Sequence, residues 1–231
     1  MTVNWGDSSP ILQEKLFLKR VVEWAKAHQE ALAVTGIIIL LISIGLPYYI
    51  HSQTQSEKDA SGALSLGQYY LRSDVDPVNG PFKNTAEKYQ QCLQTFQRIV
   101  SDYPGTYSAK MAKYYVGKCQ YFMGQYPEAY SSFDSSVLDL RGTPLAEEAG
   151  LGKMLSLIAQ SQWSQAAQVG ELFLKENPNS FLTPEVKLDL SDLYFKMKNN
   201  GKSNDELKEV NEKYPNSNWG KEAQMRLNTN S

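Results

Sequence analysis

Histidine and cysteine are nearly absent from this sequence, with two of each in 231 residues. His28 and His51 stand on either side of a long apolar run, so no Ser-His or Cys-His centre can be assembled in the segment that follows it. Cys92 and Cys119 are too few for a disulfide framework and lack zinc-type pairing. No His/Cys/Asp/Glu group has metal-ligand spacing, so neither a metal nor another cofactor is expected. A stripe of positive charge is missing as well. The formal net charge is −2 and no Lys/Arg cluster concentrates potential, which argues against nucleic acid as a partner. Nothing after residue 51 alternates cleanly enough to predict a strand. Gly201-Lys202-Ser203 resembles the end of a phosphate-binding loop, but Lys196 stands where its first glycine is required, and the stretch reads as a turn between helices. Glu147, Glu148, Asp189 and Asp192 fall on expected helix surfaces, where a solvated carboxylate is ordinary. Catalysis needs a nucleophile, an acid/base and a means of stabilising charge; the sequence assembles no such set, and an enzyme is not expected.

What the sequence does contain begins with the run from Ala31 to Ile50, twenty residues without a charge. As a helix it spans ~30 Å, the hydrocarbon thickness of a bilayer. It is longer than a signal-peptide core, and "LPYYIHSQ" offers no good cleavage site, so a permanent anchor is expected rather than a removable signal. Lys15, Lys19, Arg20 and Lys26 precede it, and Lys58 alone follows within twenty residues. The positive-inside rule then places residues 1–30 in the cytosol and residues 51–231 across the membrane. Ile11, Leu12, Leu16, Val21, Trp24 and Ala25 recur at helical spacing, which predicts a short amphipathic helix on the cytosolic side.

After the run, helical stretches are punctuated by "DPVNGPFKN", "YPGTY", "RGTP", "NPNS", "NNGKSN" and "YPNSN". Pro104, Pro178 and Pro215 lie 74 and 37 residues apart, which suggests a 37-residue period built from paired helices, the signature of a tetratricopeptide array. Leu66-Gly67-x-x-Tyr70 fits the first helix of such a unit, and Cys92, Phe96, Ile99 and Pro104 its second. Val116-Gly117, Gly124, Tyr126, Ala129, Phe133 and Ser136 fit a second unit. A third is degenerate, keeping Trp163, Ala166 and Pro178; Leu190-Ser191-x-x-Tyr194, Leu207, Val210 and Pro215 fit a fourth. The expected fold is all-α. One N-terminal transmembrane helix leads into a tetratricopeptide-like solenoid of about four helix pairs. The expected repeats are 60–104 (with an inserted loop at 75–84), 107–141, 145–178 and 184–215, followed by a capping helix at 218–231. Several of the fourteen tyrosines, Tyr70, Tyr126 and Tyr194 among them, are thereby expected to be packing residues.

Arrays of this kind bind extended segments along the face made by their first helices. The groove positions fall on Tyr114, Lys118, Tyr121 and Phe122 of repeat two and on Leu188, Asp192, Phe195 and Lys196 of repeat four. Aromatic rings with few charges suit apolar or unfolded polypeptide; the alternative is that some of these rings pack against neighbouring elements. Cys92 and Cys119 fall on helices expected to be neighbours, so two readings stand: buried small residues, or a disulfide closing a 27-residue loop.

The stretch 16–52, "LFLKRVVEWAKAHQEALAVTGIIILLISIGLPYYIHS", with a tetratricopeptide segment behind it, resembles the bacterial YfgM-type inner-membrane proteins. That resemblance implies an inner-membrane protein associated with the Sec translocon and a PpiD-like periplasmic chaperone, meeting exported chains in the periplasm. The repeats from "FQRIVSDYPGTY" onward are also similar to envelope-assembly proteins of the BamD and CpoB kind, which implies a scaffold for outer-envelope assembly instead. A third reading makes residues 1–30 the capture site for a cytosolic regulator.

Overall fold

A computed structural model describes residues 10–76, 78 and 80–229, and the side chains from residue 14 onward. Residues 1–9 of the expected cytosolic segment, 77 and 79 of the expected loop, and 230–231 of the expected cap lie outside these. All regular structure among the described residues is helical: α1 (Pro10–Ala27), α2 (Gln29–Arg72), α3 (Thr85–Asp102), α4 (Tyr107–Phe122), α5 (Tyr126–Asp139), α6 (Pro144–Ala159), α7 (Trp163–Glu176), α8 (Thr183–Lys196), α9 (Asn200–Lys213) and α10 (Asn218–Thr229). Two compact units divide the chain, with the boundary inside α2 after Thr54.

In the first unit, α2 is long and apolar enough to cross a membrane, and none of its most apolar stretch is buried by protein. Its few polar side chains satisfy themselves. Thr35 donates to the Ala31 carbonyl and Ser43 to that of Leu40, both at 2.8 Å, the local bonding that a hydrocarbon environment requires. Pro47 lies within the helix near the end of the apolar run. On α1, Leu16, Phe17, Val21 and Trp24 are exposed, and the Trp24 ring stacks on His28 at 4.8 Å.

The second unit is a strict 37-residue repeat. Helices α3, α5, α7 and α9 end at Tyr103, Leu140, Asn177 and Tyr214, each 37 residues after the last. Thr106, Thr143 and Ser217 then donate their hydroxyls to the carbonyls of Tyr103, Leu140 and Tyr214 at 2.7–2.8 Å, closing the same turn three times. The turn inside the second, third and fourth pairs repeats as well. Gly124, Ser161 and Lys198 take left-handed φ values of 77°, 60° and 61°. The next amide reaches back to Gln120, Leu157 and Tyr194 at 2.9, 2.9 and 2.8 Å, the hydrogen bond that ends a helix with a left-handed residue. Buried positions keep the period: Cys92, Ala129, Ala166 and Ser203 are all fully buried, as are Ala112, Ala149, Val186 and Ala223.

Each pair closes by large-into-small packing. A Cβ on Gly67 would meet the Phe96 ring at 2.5 Å, and one on Gly117 would meet Phe133 at 3.0 Å. In the third pair the sizes are exchanged. Met154 occupies the position of Gly117, and Gly170 that of Phe133; a Cβ on Gly170 would lie 2.7 Å from the Met154 sulfur. Consecutive helices from α3 to α10 pack on one another, α6 also touches α4, and α10 touches α8. First helices thus also meet directly, α4 with α6 and α8 with α10.

The start of this unit is tied down electrostatically. Glu57 accepts from the Tyr107 and Ser108 amides at 2.7 and 3.0 Å and from the Ser108 hydroxyl at 2.6 Å, placing a carboxylate on the N-terminus of α4. Burial alone would raise its pKa, but the Ser108 and Tyr107 hydrogen bonds outweigh that and hold it below the ordinary carboxylate value. A depressed folded-state pKa contributes stability that is present above the unfolded value and lost as pH falls. Glu57→Gln is therefore expected to cost about 1 kcal/mol at pH 7, with the deficit shrinking below pH ~4.5. Thermal melts of both proteins at pH 7 and pH 3.5 check it; an unchanged gap at pH 3.5 would remove the charge from this account.

Candidate functional site

Between α4, α6 and the turn before α8 lies a cavity of about 260 Å³, open to solvent. Tyr114, Lys118, Tyr121 and Phe122 all line it, so the four repeat-two positions come together on one surface. Tyr114 is its floor, 3% exposed, and its hydroxyl donates to Glu148. Burial, and then the hydrogen bond to that carboxylate, push the phenol pKa well above its ordinary value. Phe122 forms the rim at 52% exposure, stacked on Tyr89 at 4.8 Å. Tyr121 packs edge-on against Phe122 and Tyr126 at 5.8 and 5.4 Å.

Opposite them stand residues that sequence reasoning passed over: Leu151, Gly152 and Leu155 of α6, and Phe181 and Leu182 before α8. Leu151 and Leu155 follow Tyr114 and Lys118 by 37 residues, and that offset was the signal available to find them. Phe181 is 60% exposed, a large ring held in water at the cavity mouth. On its other flank, Lys118 and Phe122 also line a second cavity of about 350 Å³, with Gln68, Leu71, Arg72, Tyr89 and Tyr115.

The repeat-four positions fare differently. Leu188 is 7% exposed and packs with Leu207, Val210 and Ala223. The equivalent residues Tyr114 and Leu151 are buried too, yet both line the cavity between α4 and α6. Phe195 is 51% exposed, Asp192 is bridged by Arg226 of α10 at 2.8 Å, and Lys196 lies over the Trp163 ring at 4.3 Å.

Of the four carboxylates expected on solvated helix surfaces, Asp192 is exposed, while Glu147, Glu148 and Asp189 are not simply solvated. Glu147 accepts from Ser180 at 2.6 Å and Glu148 from Tyr114. Asp189 is partly buried; desolvation, then its neighbours Glu185 and Asp192, push its pKa up to about 7. Cys92 and Cys119 are both free and fully buried in one apolar cluster with Phe96 and Ile99. Among the described residues no group of three or more metal-ligating side chains converges.

No family model matches this sequence, and no curated protein matches it. Solved structures do. The nearly identical tetratricopeptide-like repeats of a Podospora anserina kinesin light chain align at a TM-score of 0.59 and 11% identity, covering 75% of this chain and 85% of that one. PilF of Pseudomonas aeruginosa aligns at a TM-score of 0.35 and 14% identity, over 76% of this chain and 99% of its own. With the 37-residue register and the first of these likenesses together, the second unit has the tetratricopeptide-like solenoid fold.

Proposed function

We propose that this chain is a membrane-anchored protein–protein interaction module that holds extended or unfolded polypeptide segments against the first-helix face of its solenoid. The observation that carries this reading is the cavity between α4 and α6. Its wall is apolar, and two large rings, Phe122 and Phe181, stand exposed at its mouth. Aromatic side chains with few rotors in a concave surface are what a tolerant peptide groove needs. The apolar stretch of α2 supplies the anchor. Lys15, Lys19, Arg20 and Lys26 before it favour a cytosolic N-terminus and a solenoid across the membrane. By its resemblance to the YfgM-type proteins, the module works in the bacterial inner membrane beside the Sec translocon and a PpiD-like chaperone, assisting the trafficking or folding of exported proteins.

Both exposed rings can be removed without opening the core. Phe122→Ser/Phe181→Ser is expected to weaken binding of a permanently unfolded, carboxymethylated polypeptide at least tenfold while the far-ultraviolet circular dichroism stays unchanged. Undiminished binding by that variant would sink the groove. Copurification with channel subunits after mild detergent extraction tests the translocon assignment separately.

A further inference from the structure

The cavity between α4 and α6 has a continuation of different chemistry. In the 37-residue register, its lining residues Glu148, Gly152 and Leu155 on α6 correspond to Glu185, Asp189 and Asp192 on α8. Spacings of four and three put these three carboxylates on one face of α8, and the register makes it the face that α6 turns toward the cavity. The two regions adjoin. Leu182, in the cavity wall, immediately precedes α8, and the charge of Asp189 is felt at Tyr121 in the same wall.

The acidic end is short of cations. The charge of Arg226 reaches Asp189, but that side chain is divided between Asp192 and Glu222, each at 2.8 Å. Among the described residues no Lys or Arg forms an ion pair with Glu185 or Asp189. Three neighbouring carboxylates on a rigid helix, one of them partly buried, repel one another when ionised and suit a cation brought from outside. At the opposite end of the face, Arg72 and Lys118 line the second cavity. The surface therefore runs from cationic through apolar to anionic, and a chain lying along it meets that order of partners.

We propose that the groove selects extended segments in which an apolar or aromatic side chain is followed within a few residues by Lys or Arg. The apolar side chain enters the cavity between α4 and α6, and the basic one meets Glu185 and Asp189. One repeat separates the two subsites, roughly 10 Å if the first helices keep ordinary helix spacing, which an extended chain covers in about three residues. A free amine or metal ion would use the carboxylates and leave the cavity idle; a polypeptide uses both. This inference rests on the groove reading given above.

The test uses the full chain in nanodiscs of zwitterionic lipid, which does not itself attract basic peptides. Three labelled dodecapeptides share a central Phe-Leu pair and differ only in two residues placed three positions after it: Lys-Lys, Ser-Ser or Glu-Glu. Fluorescence anisotropy at low salt is expected to rank them in that order, with about fivefold between Lys-Lys and Ser-Ser for two partly exposed ion pairs. The gap should close in 0.5 M salt, where the screening length falls to a few ångströms, ~4 Å. Glu185→Gln/Asp189→Asn should abolish the Lys-Lys advantage and leave the Ser-Ser peptide unchanged. That variant relieves repulsion but also gives up the favourable place of Glu185 in the first turn of α8, so its circular dichroism and melt are matched to the parent's before binding is compared. Equal binding of all three peptides, or a preference for Glu-Glu, overturns the charge selection while the groove stands. Binding of none of them, like undiminished binding by Phe122→Ser/Phe181→Ser, removes the groove itself. A concentration-dependent dimer that the Phe122→Ser/Phe181→Ser change disrupts would make a second copy the occupant and also overturn the proposal.

Discussion

Phe133→Ala is expected to destabilise the solenoid by about 3–5 kcal/mol, the usual cost of truncating a buried ring. The ring is 3% exposed and is gripped from two repeats at once. A Cβ on Gly117 of α4 would meet it at 3.0 Å, and one on Gly152 of α6 at 2.7 Å. It also tilts against Tyr114, the cavity floor, at 5.9 Å between ring centres. Phe133 is therefore a joint between the second and third helix pairs, and not merely filling for one of them. Repeat arrays are held together by nearest-neighbour interfaces, so losing the joint should split one cooperative melt into two. A double-mutant cycle makes the argument sharper. Gly152→Ala should be destabilising beside the intact ring, since no flexible chain end can move aside. Beside Phe133→Ala the same change should become neutral or stabilising by up to about 1 kcal/mol, because alanine favours a helix interior and the obstructing atoms are gone. Additive effects in urea titrations would show that ring and glycine are not in register.

The same packing explains what could be read in the sequence and what could not. The spacing of Pro104, Pro178 and Pro215 reports the period because each proline follows a helix C-cap one residue on, at Tyr103, Asn177 and Tyr214. Backbone geometry repeats strictly, and proline is bound to backbone geometry. Side-chain size repeats only as a sum. The third pair loses its expected glycine to Met154 yet packs as closely as the others, because Gly170 opposite yields the room. Motif matching on one helix sees a defect; the volume is conserved across two helices. The candidate site divides along the same line. Tyr114, Lys118, Tyr121 and Phe122 were legible because their repeat is the most regular. Leu151 and Leu155 were hidden in the repeat that looked degenerate, and Phe181 lies in a connecting turn that no repeat template covers. The surroundings of Leu188 were not legible, because a register position identifies only a direction from the helix axis, and here Leu207, Val210 and Ala223 of α9 and α10 fill it. Asp189 needed its neighbours: partial burial and the proximity of Glu185 and Asp192, which shift its protonation, come from the fold.

Leu40→Asp/Leu41→Asp is expected to move the protein out of the membrane fraction. Both residues sit mid-way along the apolar run, exposed and without protein around them to shelter a charge. Each aspartate at the centre of a spanning helix costs about 2.5–3.5 kcal/mol on insertion scales, so the pair should cost ~5–7 kcal/mol and outweigh the gain from the remaining apolar side chains. After alkaline carbonate extraction the parent should stay with the membranes and the variant should not. Gln53→Asp/Gln55→Asp, placed beyond the apolar run, is the control expected to remain bound. If the Leu40/Leu41 variant is retained, the hold on the membrane belongs elsewhere, and the exposed Leu16, Phe17, Val21 and Trp24 of α1 become the residues to test. Orientation can be read from the same background. Cys92 and Cys119 are fully buried, so a thiol introduced at the surface is labelled against little background. A membrane-impermeant maleimide applied to intact cells whose outer barrier has been opened should label Asn228→Cys and not Ser8→Cys. The reverse pattern would put the solenoid in the cytosol, where exported chains could not meet it and the positive charges before the span would have failed to set its direction.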